Sequence, residues 1–303
     1  MTLSIVIVAY NSVAVISECL ESLRRNIRDL PYEIIIVDNH SNDDTVKIIR
    51  EGFPEVKIIE NSRNEGFGRA NNAGIKHSTG EFIAFVNADI KMMDGVFHQI
   101  LGIFESRPDV GIIGTQLYNA DGTPQKSCFK FPNLFRRIVF LLPVYQLYIR
   151  NRTIPTPIQE FREVEYVMGA FMTVRRKVIE DIGGGFDKTI FMYHEEMDFC
   201  YSARARGWKV ILCAGERVIH YGGHHENPDN QRVFIEGNKS LLYFYWKHYG
   251  MFRYRLLCIV NSVLGAVMIP YCEIFGRKTA LCSYRQLLSI SLKGLVRPWW
   301  FGE

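Results

Sequence analysis

Glu195, Glu196 and Asp198 stand together in residues 191–200, just after the turn-forming stretch Gly183-Gly184-Gly185-Phe186-Asp187. If they open a helix, the positive end of its dipole favours their ionised forms and keeps their pKa low. Such a carboxylate can accept a proton at neutral pH. At helical spacing Glu195 and Asp198 share a face and Glu196 points about 100° away, so they can hold separate roles. A second carboxylate, Asp89, ends the sequence Asn87-Ala88-Asp89 after the apolar run 82–86. It can coordinate a hard divalent cation whose other ligands are phosphate oxygens and water. A departing nucleotide diphosphate needs its charge neutralised, and a metal is one means. His220, before Gly222-Gly223, offers that cation a neutral imidazole nitrogen. His224 and His225 read as surface residues, and no closed zinc spacing is present.

Asp38-Asn39 ends another apolar run. Its carboxylate can accept the N3–H of uracil or thymine. Residues 61–74 interleave small residues with Asn and Arg, which permits close backbone approach and offers donors to a diphosphate. Each segment alone also fits a plainer role as a helix cap, a polar strand end or a loop. The first apolar run leads into Ala9-Tyr10-Asn11-Ser12 and lacks the Gly-x-Gly-x-x-Gly turn of dinucleotide-binding enzymes.

Parallel strands are what must position these groups. Apolar runs of strand length occupy 3–9, 33–37, 56–59, 82–86 and 110–113, with helical patterns at 13–25, 43–50, 68–77 and 95–106. Unalternated apolar strands are buried on both faces, and strand–helix alternation builds a doubly wound, mostly parallel α/β sheet. Its ligands bind beyond the carboxyl ends of the strands. Residues 119–123 read as a turn centred on Asp121-Gly122. Strand and helix signals return at 166–174, 177–182, 195–206, 209–213 and 217–220. The expected division is a catalytic domain over 1–228 and a helical, apolar and basic extension over 229–303.

The chain has 303 residues, 48% hydrophobic and 22% charged, with a net charge of +4. That charge gives no reason to expect a nucleic-acid partner. Its seven cysteines are unpatterned, which suits reduced thiols in the cytosol. The apolar start lacks the basic flank and cleavage site of a secretory signal. Residues 256–269 are nearly all apolar, and Lys247, Arg253, Arg255, Arg277, Lys278 and Arg297-Pro298-Trp299-Trp300-Phe301 lie around them. A spanning helix needs about 20 apolar residues, so peripheral docking on the inner face of the cell membrane fits better. A hairpin packed on the catalytic domain or an oligomer contact is the other reading, and oligomeric state stays open.

Taken in order, these segments resemble glycosyltransferase family 2, inverting enzymes of the GT-A fold, over about residues 3–225. The nearest subgroup resembles bacterial rhamnosyltransferases of surface-polysaccharide assembly. It is marked by Asn64-Glu65-Gly66-Phe67-Gly68-Arg69-Ala70-Asn71-Asn72, by Asn-x-Asp in place of Asp-x-Asp, and by the acidic motif. The resemblance implies that Ala9, Asn11 and Asp38 hold the nucleoside, and that Asn64, Gly66 and Arg69 approach base, ribose or diphosphate. Asp89 would bind Mg²⁺ or Mn²⁺ with His220, while Asn87 replaces the first Asp of the metal motif and leaves fewer charged ligands. Glu196 stands where the family's base is usually Asp, with Glu195 the second candidate and Asp198 completing the acidic set. The implied reaction is a single inverting displacement from a nucleotide-sugar donor, with dTDP-L-rhamnose as the first choice and a UDP-sugar as the alternative. The acceptor would be a saccharide, polyprenyl-diphosphate-linked if the extension meets a membrane, and residues 129–152 would help to receive it. A sugar-phosphate nucleotidyltransferase is disfavoured because no Gly-rich basic loop follows the first strand. A non-catalytic nucleotide-sugar-binding or scaffolding subunit remains the reading from another class.

Overall fold

Leu3–Ala9 (β1) has no polar alternation, and it lies inside a sheet with its residues buried except Val8. It runs parallel to Tyr32–Asp38 (β2) on one side and Phe82–Asn87 (β4) on the other. Lys57–Glu60 (β3) extends the parallel edge beyond β2. Ile90–Met92 (β5), Val110–Tyr118 (β6), Arg162–Glu163 (β8), Phe171–Arg175 (β10) and Lys209–His220 (β11) complete the sheet. Its order is β3-β2-β1-β4-β10-β6-β11-β5, with β8 against β11. Cys128–Phe129 (β7) and Tyr166–Val167 (β9) form a separate antiparallel pair. This computed structural model describes residues 2–93, 95–135, 161–222 and 231–298.

The doubly wound, mostly parallel sheet expected from the sequence is present. The strand β10 runs antiparallel to both β4 and β6, and β5 and β8 run antiparallel to β11. The segments 209–213 and 217–220 form one strand, β11, interrupted by a register shift between Cys213 and Val218. Helices cover the sheet through apolar stripes. Ile16–Asn26 buries Ile16, Cys19, Leu20 and Leu23 at the i, i+3, i+4, i+7 spacing of an amphipathic helix. Phe67–His77 approaches β1 so closely that a Cβ on Gly74 would fall 2.2 Å from Val6 Cγ1, so only glycine fits there.

The chain divides into two units. Among the described residues the first holds 2–131, 161–188 and 195–222, and the second holds 132–135, 189–194 and 231–298. The second unit carries the expected helices, Gln231–Phe244, Gly250–Ile274 and Lys278–Val296, with π-helical Tyr245–Tyr249 between the first two. Gly250–Ile274 continues through Pro270, beyond the expected end of the apolar run. Its buried face carries Tyr254, Leu257, Cys258, Asn261, Gly265 and Cys272, and Gly265 packs on Leu288 of the next helix. Its apolar residues Phe252, Ile259, Val263, Val267, Tyr271 and Ile274 are exposed and share one stripe at helical spacing. All seven cysteines are free. Most of the segment 129–152, His224, His225 and Trp299–Phe301 lie outside the described residues.

Candidate active site

Ala9 and Asp38 are register partners at the carboxyl ends of β1 and β2. Just beyond, Asn11 takes a left-handed backbone with φ of 49°. Its N–H donates to Ser41 Oγ at 2.9 Å and its Oδ1 accepts the Asn42 N–H at 2.8 Å. The Asn11 side-chain oxygen is thus committed to fastening the loop after β2 to the end of β1. Asp38 is buried, and its Oδ2 accepts the Ser41 N–H at 3.1 Å. Its Oδ1 is buried with no hydrogen-bond partner among the described residues. A carboxylate oxygen left so is costly unless a ligand supplies a donor. A polar cleft of about 490 Å³ opens beside it, lined also by His40, Ser41, Lys47, Arg50 and Asn61.

Asn39, which nothing in the sequence sets apart from its polar neighbours, organises the adjoining loop. Its Nδ2 donates to Asn64 Oδ1 at 2.9 Å, and its Oδ1 accepts from Asn61 Nδ2 at 3.0 Å and from the Glu65 N–H at 2.9 Å. Asn64 Oδ1 also accepts the Gly66 N–H at 3.0 Å, just where Gly66 turns with φ of 83° into the helix Phe67–His77. Asn64 and Gly66 therefore shape the loop, whose backbone is what a ligand would meet. Arg69 projects from the helix, donates from Nε to the Lys188 carbonyl at 2.6 Å, and pairs loosely with Glu65 at 3.6 Å. Asn72 grips Phe186 by both backbone groups, at 2.7 and 2.8 Å, and so holds the glycine turn against the same helix.

Two strand spacings from β2, β4 delivers Asn87 and Asp89, about 10 Å away by sheet geometry. The short strand β5 starts directly after Asp89 and pairs with the end of β11, Ile90 opposite His220. That pairing sets His220 Nε2 3.4 Å from Asp89 Oδ1. Burial works to raise the Asp89 carboxyl, but the His220 ring and backbone N–H groups outweigh it and hold the pKa below its ordinary value. An ionised carboxylate beside an imidazole nitrogen fits a divalent cation. Among the described residues no cluster of three or more His, Cys, Asp or Glu side chains forms a closed cage. Asp89 and His220 would therefore leave positions for diphosphate oxygens and water.

Glu195, Glu196 and Asp198 open the helix Glu195–Ala205, as the sequence indicated, after left-handed backbone at Tyr193 and His194. Glu195 and Asp198 are buried and Glu196 is half-buried. The helix dipole does not keep the glutamates low, contrary to expectation. Burial pushes Glu196 up to about 7, and burial with repulsion from Glu196 raises Glu195 well above the usual carboxylate range. Desolvation of a charged group outweighs the dipole here because the dipole contributes about 1 kcal/mol or less at an exposed helix end. Glu195 Oε2 is also a buried acceptor with no hydrogen-bond partner among the described residues. Gly169 lies against Glu196, where a Cβ would come within 3.3 Å of Glu196 Cβ.

Sheet and site together define a glycosyltransferase catalytic unit of the GT-A type. A model of Glycosyl transferase family 2 matches residues 4–183, and the chain belongs to that family. It is 25% identical over 255 residues to the N-acetylglucosaminyl-diphospho-decaprenol L-rhamnosyltransferase of Mycobacterium tuberculosis, covering 78% of this chain and 81% of that one. Among solved structures, S. aureus TarS 1-349 in complex with UDP-GlcNAc superposes with a TM-score of 0.55 at 16% identity, over 97% of this chain and 92% of that one. GalNAc-T7 with UDP, GalNAc and Mn²⁺ gives a TM-score of 0.60 at 16% identity, over 81% of this chain and only 50% of the other. At those identities the structural likeness speaks to the fold.

Proposed function

We propose that this family 2 glycosyltransferase moves L-rhamnose from dTDP-L-rhamnose to a polyprenyl-diphosphate-linked saccharide, inverting the anomeric centre. The observation that carries the mechanism is the position of Glu196. It packs on Gly169, whose neighbour Ala170 accepts the Asn87 N–H two residues before Asp89. Base and diphosphate site thus share one edge of the sheet. In the reaction the acceptor hydroxyl oxygen bonds to the anomeric carbon while Glu196 takes its proton. The bond from that carbon to the diphosphate oxygen breaks, and its electron pair leaves with the nucleotide. Asp89 and His220 would hold Mg²⁺ or Mn²⁺, which would supply neutralisation of the diphosphate charge. Arg69 adds positive charge nearby, and Asp38 Oδ1 accepts the N3–H of the base.

The rhamnosyl group and the lipid-linked acceptor rest on likeness to the mycobacterial enzyme, whose name gives L-rhamnosyl transfer and a diphospho-decaprenol acceptor. The second unit supports a membrane-borne acceptor, since its longest helix exposes a stripe of apolar residues. The enzyme would then work from the cytoplasm on the inner membrane face.

The test is a panel of nucleotide sugars with the purified protein, with and without Mg²⁺ or Mn²⁺, followed for nucleotide diphosphate release. Metal-dependent turnover of dTDP-L-rhamnose is the expected result, and turnover of a UDP-sugar alone reassigns the donor. A product with retained anomeric configuration overturns the single displacement. Donor binding without turnover in the presence of acceptor lipid would favour a scaffolding subunit.

A further inference from the structure

The side-chain amide of Gln125 is gripped on both sides. Its Nε2 donates to the backbone carbonyl of His220 at 2.7 Å and to Asn119 Oδ1 at 2.6 Å. Its Oε1 lies 3.0 Å from His220 Nδ1. The His220 carbonyl is only an acceptor, so the amide nitrogen must face it and the amide oxygen must face the ring. An amide oxygen is itself only an acceptor, so the ring nitrogen opposite it must carry a hydrogen. Neutral imidazole has one N–H. With the hydrogen on Nδ1, the Nε2 that faces Asp89 presents a bare lone pair to a carboxylate oxygen 3.4 Å away. A second proton on Nε2, or a metal cation in its place, relieves the repulsion between two acceptors so placed.

We propose that Gln125 is a positioning residue that fixes His220 as the Nδ1–H tautomer and so aims an unprotonated Nε2 at the cation site beside Asp89. This rests on the proposed metal role of Asp89 and His220. The fold holds Gln125 rigidly for the task. Its N–H donates to the Leu117 carbonyl at 2.7 Å, and its carbonyl accepts from Gln116 Nε2 at 2.6 Å and Ser127 Oγ at 2.9 Å. The turn at Asn119–Thr123, with Gly122 at φ of 81°, folds it back alongside the end of β6. There Tyr118 is the register partner of Ile219, one residue before His220. A second partner on the far ring nitrogen is how proteins commonly fix the tautomer of a metal-binding histidine.

The test begins with long-range ¹H–¹⁵N spectra of the full-length, histidine-labelled, metal-free protein at about pH 8.5, where an ordinary imidazole is neutral. His220→Asn identifies the His220 signals. The expected pattern is a protonated Nδ1 and a bare Nε2, and the opposite tautomer in the wild type overturns the proposal. In Gln125→Met, similar in size but unable to hydrogen-bond, the pattern should become a mixture. Its Mn²⁺ affinity, titrated with dTDP or UDP present, should fall about 10–100-fold. An unchanged tautomer and affinity in a folded Gln125→Met protein would also overturn it. If the wild type binds no Mn²⁺ while the Nδ1–H tautomer is found and depends on Gln125, the metal reading fails and the tautomer-fixing role stands.

Discussion

The backbone N–H of Asn87 donates to the carbonyl of Ala170 at 2.9 Å. That bond joins the end of β4, which carries Asp89, to the turn on which Glu196 packs. Gly169 is the contact point, and a methyl group there would meet Glu196 Cβ at 3.3 Å and Cγ at 3.6 Å. Gly169→Ala should therefore displace the carboxylate by a few tenths of an ångström without touching the donor site. Because misplacement of about 1 Å costs up to about 10²-fold, a shift of a few tenths should lower kcat by roughly threefold to tenfold. The KM for the donor should change little. Steady-state kinetics at saturating acceptor separate the two, and a loss confined to donor KM would place Gly169 elsewhere in the mechanism.

Glu196 should set the acid limb of the pH profile. Its pKa is raised to about 7 by burial, so it is protonated and unable to act as base below that pH. Activity should accordingly rise with pH through about 7 and level off above it. Glu196→Gln should lose about 10²–10⁴-fold in kcat and keep nucleotide binding. A wild-type profile flat down to about pH 5, the limb an ordinary carboxylate would allow, would remove Glu196 from the role.

The sign of that shift marks where sequence reasoning stops. The helix start at Glu195 was legible, and so was the dipole it feels, because both are local. Burial of Glu196 beside Gly169 and Tyr166 depends on other elements, and it reverses the outcome. The strands β1, β2, β4 and β6 were legible because parallel strands covered on both faces need unbroken apolar runs. Ile90–Met92 was not, since three residues show no period and their partner strand ends at His220. Gln125 was hidden for the same reason: the residue it orients lies 95 positions away. Asn39 belonged to a visible polar cluster, but only the folded loop distinguishes the residue that organises it from those organised.

At the nucleoside end, Asp38 offers a test of base recognition. Asp38 Oδ2 is occupied by the Ser41 N–H, and Oδ1 awaits a donor. In Asp38→Asn the remaining oxygen should stay with Ser41, which turns the amide NH₂ toward the base. That group repels the N3–H of thymine or uracil but can donate to N3 of cytosine, an acceptor. An unmade buried hydrogen bond costs about 1–3 kcal/mol, so dTDP and UDP should bind about 10–100-fold more weakly. Binding of CDP should improve relative to both. Calorimetric titration of the three nucleotides checks this, and equal losses for all of them would mean that Asp38 supports the loop without reading the base.

The helix Gly250–Ile274 carries apolar residues on its outward face as well as on its buried one. Asn261 and Gly265 face inward, while Val263 is 54% exposed and Val267 is 63% exposed. Water disfavours such an outward stripe, whereas a bilayer interface favours it, and the exposed Arg253, Arg255, Arg277 and Lys278 near its ends suit anionic headgroups. Each aliphatic side chain removed from water contributes about 1.5–3 kcal/mol. The double variant Val263→Glu, Val267→Glu should therefore lose vesicle binding by more than about 100-fold. Its fold should survive, because neither side chain belongs to the buried face. Flotation with vesicles containing anionic lipid should carry the wild type to the top of the gradient and leave the variant at the bottom, with matching circular dichroism. A wild type that stays at the bottom would mean that another surface covers this stripe and that the acceptor need not be held in a membrane.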